Sequence, residues 1–527
     1  MENGFLGIIL HAHLPFVRHP EHPSFFEENW LFEAMTECYI PLLEMLDRLE
    51  NDRVGYRLTL SLSPPLLSML RDELLQSRYL QHLYKLIELA EKETVRTRRE
   101  PELNKLARLY RRFYRHTLDF YQNRCRGDLL GAFGMHQAHG KLELITTAAT
   151  HGFLPLLSVS EAAVCNQIRV GIDTFRRHFG FAPKGFWLPE CGYYPGLETF
   201  LKEAGITYFF VDSHSLLNAS QPPVNGVYAP LACENGVAAF ARDPESSEQV
   251  WSSQQGYPGD FDYREYYRDI GFDLDLDYIG PYVPDGQIRA NTGIKYYRVT
   301  GENQPKQPYD PRPARAKAEL HARDFIQKRR RQIDALAERR DRPPLIVAPY
   351  DAELFGHWWF EGPHWLEQVL RIAGENGIRT VSCADDLQRF PSPQAATPSA
   401  STWGEQGYSS YWINETNAWI YPFLHQAGRQ LEAFVAELKD ISVNPLQERA
   451  FNQAVRSLLL AQSSDWPFIM KSGTTVGYAT KRVTDHLARF NYLYDSLRKG
   501  KIDERYLTAL EIMDNIFPDI DFRNYCA

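Results

Sequence analysis

The feature that most limits the folds open to this 527-residue chain is a set of short, almost unbroken apolar runs, several ending directly on a polar residue. They are residues 5–10 (FLGIIL), 57–62 (RLTLSL), 142–148 (LELITTA), 185–188 (GFWL), 208–211 (YFFV), 345–348 (LIVA) and 380–382. A strand with one wet face alternates apolar and polar residues, whereas a run that is apolar throughout is buried on both faces. Between several runs the apolar positions recur at helical spacing, around 29–48, 66–92 and 161–178. Strands covered on both faces by intervening helices form a parallel sheet, and its natural closed form is a β/α barrel.

The rest of the chain departs from this pattern. Residues 215–310 hold few helical stretches and many Tyr, Pro, Gly and Asp, as in QQGYPGDFDYREYYRD, and read as an irregular insertion at a barrel rim. Residues 388–402 (QRFPSPQAATPSAST) read as a connector, and 420–440, 446–462 and 476–498 as helices beyond it. The expected organisation is a first barrel portion over 1–214, the insertion over 215–310, the last barrel portion over 311–400 and a helical C-terminal domain over 401–527. No repeat of fixed period is present.

Composition excludes several classes of partner. The net charge of −9 argues against a nucleic-acid coat. One stretch is strongly basic, from Arg96 through Lys105, Arg108 and Arg111 to Arg115, but Leu103, Leu106, Tyr110 and Phe113 fall on one helical face within it. A packed amphipathic helix with a solvated face accounts for it, and for 328–331 on a helix expected over 314–340. No apolar run reaches the roughly 20 residues of a membrane span, and the start, MENGFLGIIL, lacks the cationic lead-in of a signal peptide. Seven scattered cysteines (Cys38, Cys125, Cys165, Cys191, Cys233, Cys383, Cys526) without a C-x-x-C pair suggest a reduced, cytoplasmic protein. Aromatic content is high at 13%, with 29 Tyr and 10 Trp, which suits either a large core or a cleft for flat, amphipathic ligands such as sugars.

Polar groups at the C-terminal ends of barrel strands meet at one mouth. His11 and His13 follow the first run, His151 comes soon after the third, Glu190 follows GFWL and Asp351 follows LIVAPY. Glycoside hydrolysis needs two carboxylates in different environments, one ionised and one holding a proton. Glu190 and Asp351 suit those roles, with Trp187, Tyr193, Tyr194, Trp358 and Trp359 close to them in sequence. The plain alternative is a helix cap at Glu190 and a salt bridge at Asp351. The pair His11-x-His13 also fits a zinc site of a barrel hydrolase or deacetylase, though His136, His139 and His151 form no compact second cluster. A non-catalytic glucan-binding protein would keep the tryptophans and need neither carboxylate.

The segments HAHLPFVRHPE, THGFLPLL, GFWLPECGYYPGLE, APYDAELFGHWWFEGP and STWGEQGYSSYWIN resemble, in order, the motifs of glycoside hydrolase family 57. The resemblance extends to ARDPESSEQVW and AQSSDWPF, and is strongest with the α-1,4-glucan branching enzymes and similar α-amylases. It implies an incomplete (β/α)7 barrel, an inserted segment and a C-terminal helical domain closing over the cleft. It further implies a retaining mechanism with no metal or other cofactor, acting on an α-glucan such as amylose or a glycogen-like polymer. By resemblance, Glu190 is the nucleophile and Asp351 the acid/base. His11, His13, His151, Arg264, His357, Trp358, Trp403, Trp412 and Asp465 match residues lining the substrate cleft, and Trp187 is expected beside them. Phe272, in RDIGF, stands where some branching relatives carry tryptophan. Branching relatives also have a longer loop whose tyrosine covers the intermediate. The matching turn is expected at 231–240 (LACENGVAAF), which has no tyrosine, with Tyr257 the expected substitute; the expected reaction is α-1,6 branching by transglycosylation, and this departure strengthens the alternative, an α-amylase-type retaining hydrolase.

Overall fold

The computed structural model describes every residue except 1–3, 253–255, 285, 287, 302, 338–341, 439–440 and 526–527. The first three residues, Cys526 and the expected helix end near 340 lie outside the described residues.

The strands are β1 (Phe5–Ala12), β2 (Leu58–Leu62), β3 (Leu142–Thr147), β4 (Gly185–Trp187), β5 (Tyr208–Val211), β6 (Leu231–Ala232), β7 (Ala238–Ala241), β8 (Leu345–Asp351), β9 (Arg379–Thr380) and β10 (Gln394–Ala395). Their order is β10-β6-β7-β5-β4-β3-β2-β1-β8, with β9 also on β1. The seven from β8 through β1 to β5 and β7 are all parallel. They curl into an incomplete (β/α)7 barrel. Between β7 and β8 there is no ladder among the described residues, and one backbone bond crosses near the gap, Asp243 N–H to Val347 O at 2.8 Å. Ile9, Ile145, Trp187, Phe210, Phe240 and Val347 fill the interior, and a second core lies between sheet and helices.

Local chemistry sets the helix ends. Pro64 and Pro65 open the helix Pro64–Arg71, where a missing N–H costs nothing. Asp72 caps Glu73–Arg96 by accepting from Leu75 N–H, and Ser160 caps Glu161–Phe179 by accepting from Ala163 N–H. The basic helix Pro101–Asp119 buries Leu106, Ala107, Tyr110 and Tyr114 and turns most of its arginines outward.

Two stretches carry more order than their composition suggests. Within 215–310, β7 is part of the parallel sheet and β6 pairs antiparallel with it. Within 388–402, β10 pairs with β6, and Ser401 bridges to Tyr193. Beyond these, Tyr421–Glu437, Pro445–Ala461, Asp465–Ser472, Val476–Arg498 and Glu504–Met513 form a helical layer continuous with the second core. The start of Asp465–Ser472 reaches the barrel mouth, where Ser464 N–H donates to His151 O at 3.1 Å. No described helix is long and apolar enough to cross a membrane.

Candidate active site

Register places the chemistry. His11 pairs with Ser61 of β2 on one side and with Asp351 of β8 on the other, so both strands deliver a polar side chain at the same height. Glu190 lies beyond β4 in a turn whose backbone enters the left-handed region, with φ +60° at Glu190 and +50° at Cys191. His151, beyond β3, does the same at φ +55°. Side chains with a Cβ rarely adopt this conformation, and where they do the surroundings must hold them. Here Trp403 N–H donates to Glu190 O at 3.0 Å, and Tyr193 and Ser401 exchange backbone bonds at 2.9 and 3.1 Å. The 401–403 segment thus clamps the Glu190 turn from outside the barrel.

Both Glu190 carboxylate oxygens are engaged. Trp403 Nε1–H donates to Oε2 at 2.8 Å and the Ser464 hydroxyl to Oε1 at 3.0 Å. Burial nevertheless pushes Glu190 up to about 7, with those two donors and His13 working against it. Burial pushes Asp351 well above the usual carboxylate range; Glu353 and Glu190 add to this and Arg242 opposes it. The asymmetry decides the roles available to each group. A carboxylate with two donors aimed at it loses its proton before one facing two other carboxylates. Glu190 is the group suited to attack and Asp351 the group suited to donate a proton.

The surroundings set charge and orientation. His11 lies flat on Trp187, ring centroids 4.6 Å apart, and His13 stacks on His151 at 4.0 Å. Burial, with His13 nearby, holds His11 and His151 well below the ordinary imidazole value, so both are neutral near pH 7. His13 itself is raised: burial opposes its charge, but Asp465 (3.0 Å), Glu190 and Glu353 outweigh that. Among the described residues no three His, Cys, Asp or Glu side chains are arranged to hold a metal ion.

These groups line a cavity of about 490 Å³. Of the residues expected from sequence, His11, His13, His151, Glu190, Asp351, Trp358, Trp403, Trp412 and Asp465 are on its wall. Trp358, 39% exposed, also borders a second cavity of about 260 Å³, lined by His357, Trp30, Glu33 and Tyr266. Leu14 and Glu353 are shared by both, so the two cavities form one extended groove. Three expected contacts are off both walls. Trp187 is buried beneath His11. Arg264 lies behind His357, 3.6 Å from Glu37 and over the Phe360 ring. Phe272 is 52% exposed on the four-residue helix Ile270–Asp273.

Sequence reasoning missed Arg242, Trp251, Glu353, Tyr411 and Phe468 on the cavity wall, and Ser464 at the Glu190 carboxylate. Arg242 directly follows the apolar run AAFA, and Glu353 stands two residues beyond Asp351, so the strand-end rule that found Asp351 also reaches both.

The two expectations about the covering loop are corrected. Residues 231–240 span β6, a turn and most of β7, and that turn precedes the N-terminal end of β7. It therefore sits at the opposite end of the barrel from Glu190 and Asp351, and none of it lines the cavity. Tyr257 is a core residue: its hydroxyl donates to Asp324 at 2.7 Å and its ring stacks on His321 at 4.6 Å. The tyrosine at the cavity is Tyr411, whose ring lies 5.0 Å from Phe468.

Comparison with known proteins bears on this geometry. The family model described as "Glycosyl hydrolase family 57" matches residues 7–398, and one described as "1,4-alpha-glucan branching enzyme, C-terminal" matches 423–525. A 1,4-α-glucan branching enzyme of Thermococcus kodakarensis is 33% identical over 98% of this chain and 77% of its own length. The crystal structure of the α-amylase AmyC from Thermotoga maritima superposes with a TM-score of 0.92 at 46% identity, covering 99% of both chains. That of a branching enzyme from Pyrococcus horikoshii gives 0.90 at 32% identity, covering 100% of this chain and 97% of that one.

Proposed function

We infer the reaction from a premise the comparisons establish, that the chain belongs to glycosyl hydrolase family 57. It is an α-1,4-glucan branching enzyme that cuts an α-1,4 linkage and transfers the released segment to a 6-hydroxyl, with retention of configuration. The observation that carries this reading is the pairing, on one cavity wall, of a doubly hydrogen-bonded Glu190 with Asp351, a second carboxyl that burial and its carboxylate neighbours keep protonated more readily. The match of residues 423–525 to a branching-enzyme C-terminal model supports the choice of transfer.

In the first step Asp351 protonates the glycosidic oxygen while Glu190 Oε attacks C1 from the opposite face, giving a covalent β-glucosyl ester. Two carboxyls about 5–5.5 Å apart serve this double displacement. Asp351, now ionised, takes the proton of the acceptor hydroxyl as that oxygen displaces Glu190. His13, whose proton is favoured by Asp465 at 3.0 Å, lies on the same cavity wall as the two carboxyls. The groove continuing past Trp358 to Trp30 and His357 offers stacking surface for a second glucan strand.

One observation favours a second reading, an α-amylase-type hydrolase in which water is the acceptor. It is the 46% identity to AmyC over nearly the whole of both chains. The lack of a tyrosine in residues 231–240 no longer supports it, since that turn is remote from the mouth. Incubation with amylose, counting α-1,6 linkages by proton NMR beside new reducing ends, tests the choice. Branches accumulating faster than reducing ends are expected; reducing ends without branches reject transfer. We place the reaction in the cytoplasm, a reading supported by the six described cysteines being free thiols.

A further inference from the structure

A line of hydrogen bonds runs from the barrel wall to the nucleophile. Ser61 Oγ is 3.0 Å from His11 Nδ1, and His11 Nε2 is 3.0 Å from His151 Nε2. His151 Nδ1 is 2.8 Å from Ser464 Oγ, which is 3.0 Å from Glu190 Oε1. Backbone pairing fixes each end: Ser61 is the ladder partner of His11, and Ser464 N–H bonds to His151 O.

Each of these four groups has one proton to place when both rings are neutral. Only two arrangements satisfy every link. In the first, Ser61 donates to His11 Nδ1, His11 Nε2–H to His151 Nε2, His151 Nδ1–H to Ser464, and Ser464 to an ionised Glu190. In the second every link is reversed, both histidines take the other tautomer, and Glu190 must carry a proton on Oε1 to donate to Ser464. Mixed arrangements place two protons, or none, in one link. The buried end distinguishes the two. Among the described residues His11 is the hydrogen-bond partner of the Ser61 hydroxyl, and Ser61 is fully buried. The first arrangement uses its proton; the second leaves that proton buried without an acceptor, which is unfavourable.

We propose that Ser61, His11, His151 and Ser464 form a directional hydrogen-bond chain whose polarity is tied to the charge on Glu190, with Ser61 as the positioning residue that sets the direction favouring the carboxylate. The proposal rests on Glu190 being the nucleophile. Ser61 never meets substrate; it acts through two rings and a hydroxyl. The other groups facing Glu190 are Asp351 from β8, His13 beyond β1, Trp403 from the 401–414 segment, and Asp465 beside Ser464, with Arg242 on the same cavity wall. Among the described residues none of them is hydrogen-bonded to Ser61, so a change there acts first on the His11 ring; from the two rings it reaches Glu190 through Ser464, beside the direct 3.6 Å approach of His151 Nδ1 and the stacked His13.

The test is kcat/KM against pH on amylose for the full-length enzyme and for Ser61→Ala, Ser61→Cys, Ser464→Ala and Glu190→Gln. Ser61→Ala is expected to move the acid limb upward by about half to one pH unit, the size of one net hydrogen bond. The alkaline limb and KM stay in place. Ser61→Cys, a weaker donor at nearly the same position, gives a smaller shift, and Ser464→Ala a shift at least as large as Ser61→Ala. An acid limb unmoved in both alanine variants overturns the chain, whatever the loss in kcat. If Ser61→Ala does not fold, Ser61→Cys and Ser464→Ala decide in its place. Activity persisting in Glu190→Gln overturns instead the reading of Glu190 as nucleophile, so the two failures are distinct.

Discussion

The two ends of the barrel are built from the same strands and solve opposite problems. At the foot, where strands begin, cations are matched. Arg57 donates to Asp385 at 3.2 Å and to Leu142 O at 2.8 Å, Arg342 pairs with Asp386, and Ser382 and Asp385 close a capping box. Left-handed turns there fall on glycine, as at Gly140 (φ +70°) before β3 and Gly236 (φ +84°) before β7, with Arg53 an exception before β2. At the mouth, His151, Glu190 and Cys191 take that conformation with side chains attached. Carboxylates crowd together there: Asp351 faces Glu190 and Glu353, and the opposing influence of Arg242 does not outweigh its burial. The foot is arranged for stability. The mouth holds strain and uncompensated burial, which persist only because the 401–403 segment and Ser464 hold Glu190 in place.

The comparison breaks most directly by exchanging carboxylates for amides. Glu190→Gln and Asp351→Asn should each lower turnover on amylose by 10³-fold or more, on the order of what a nucleophile or acid/base contributes. Asp385→Asn at the foot should leave turnover within about twofold and lower the melting temperature. Loss of activity at the foot, or retention at the mouth, would erase the distinction.

Stability should move the other way. Glu190 is raised from 4.5 to about 7, so the folded state holds its proton over a range where the unfolded chain has released it. Its contribution to stability is complete below the unfolded value and is lost as pH rises through about 7. Glu190→Gln removes a penalty that builds from about pH 4.5 and is complete above about 7. It should be more stable than the parent at pH 8, by on the order of 1–3 kcal/mol. Near pH 4 the two should melt together, and calorimetry at both values checks the sign.

The same environments predict the rate profile. Glu190 must be ionised and Asp351 protonated, so kcat/KM should rise with pH through about 7 and fall again as Asp351, itself raised by burial and by its carboxylate neighbours, loses its proton. Trp403→Phe keeps an aromatic surface and removes the donor to Oε2, so the acid limb should move upward. The smallest effect belongs to the foot. Gly236→Ala meets nothing closer than Lys202 Nζ at 3.9 Å, so its cost is backbone strain alone, about 1 kcal/mol by denaturant titration with kcat unchanged.

Much of this was legible in the residues. Six of the seven apolar runs are strands and the seventh, 380–382, meets one at Thr380; strand-end polarity led to both carboxylates and the histidines on the cavity wall. What escaped did so for physical reasons. β6, β7 and β10 are two to four residues long and rich in alanine, so they lack the bulk that marks a strand. Which end of the barrel a turn occupies depends on strand direction, which composition does not carry, and so residues 231–240 were expected at the mouth. Trp187 precedes Glu190 in GFWLPE, yet the alternation along β4 turns its ring into the barrel beneath His11, out of substrate reach. The motif sequence AQSSDWPF drew attention to Asp465; the contact on the nucleophile is made by its neighbour Ser464.

The central claim is that the strained, buried carboxylate at the mouth is the group that bonds to sugar. An activated fluorinated α-glucoside, which slows breakdown of the glycosyl-enzyme, followed by proteolysis and mass spectrometry, tests it directly. The account predicts one added glycosyl unit on the peptide containing Glu190, absent in Glu190→Gln. A label on Asp351 or Glu353, or steady turnover of amylose by an enzyme that never acquires one, would contradict it.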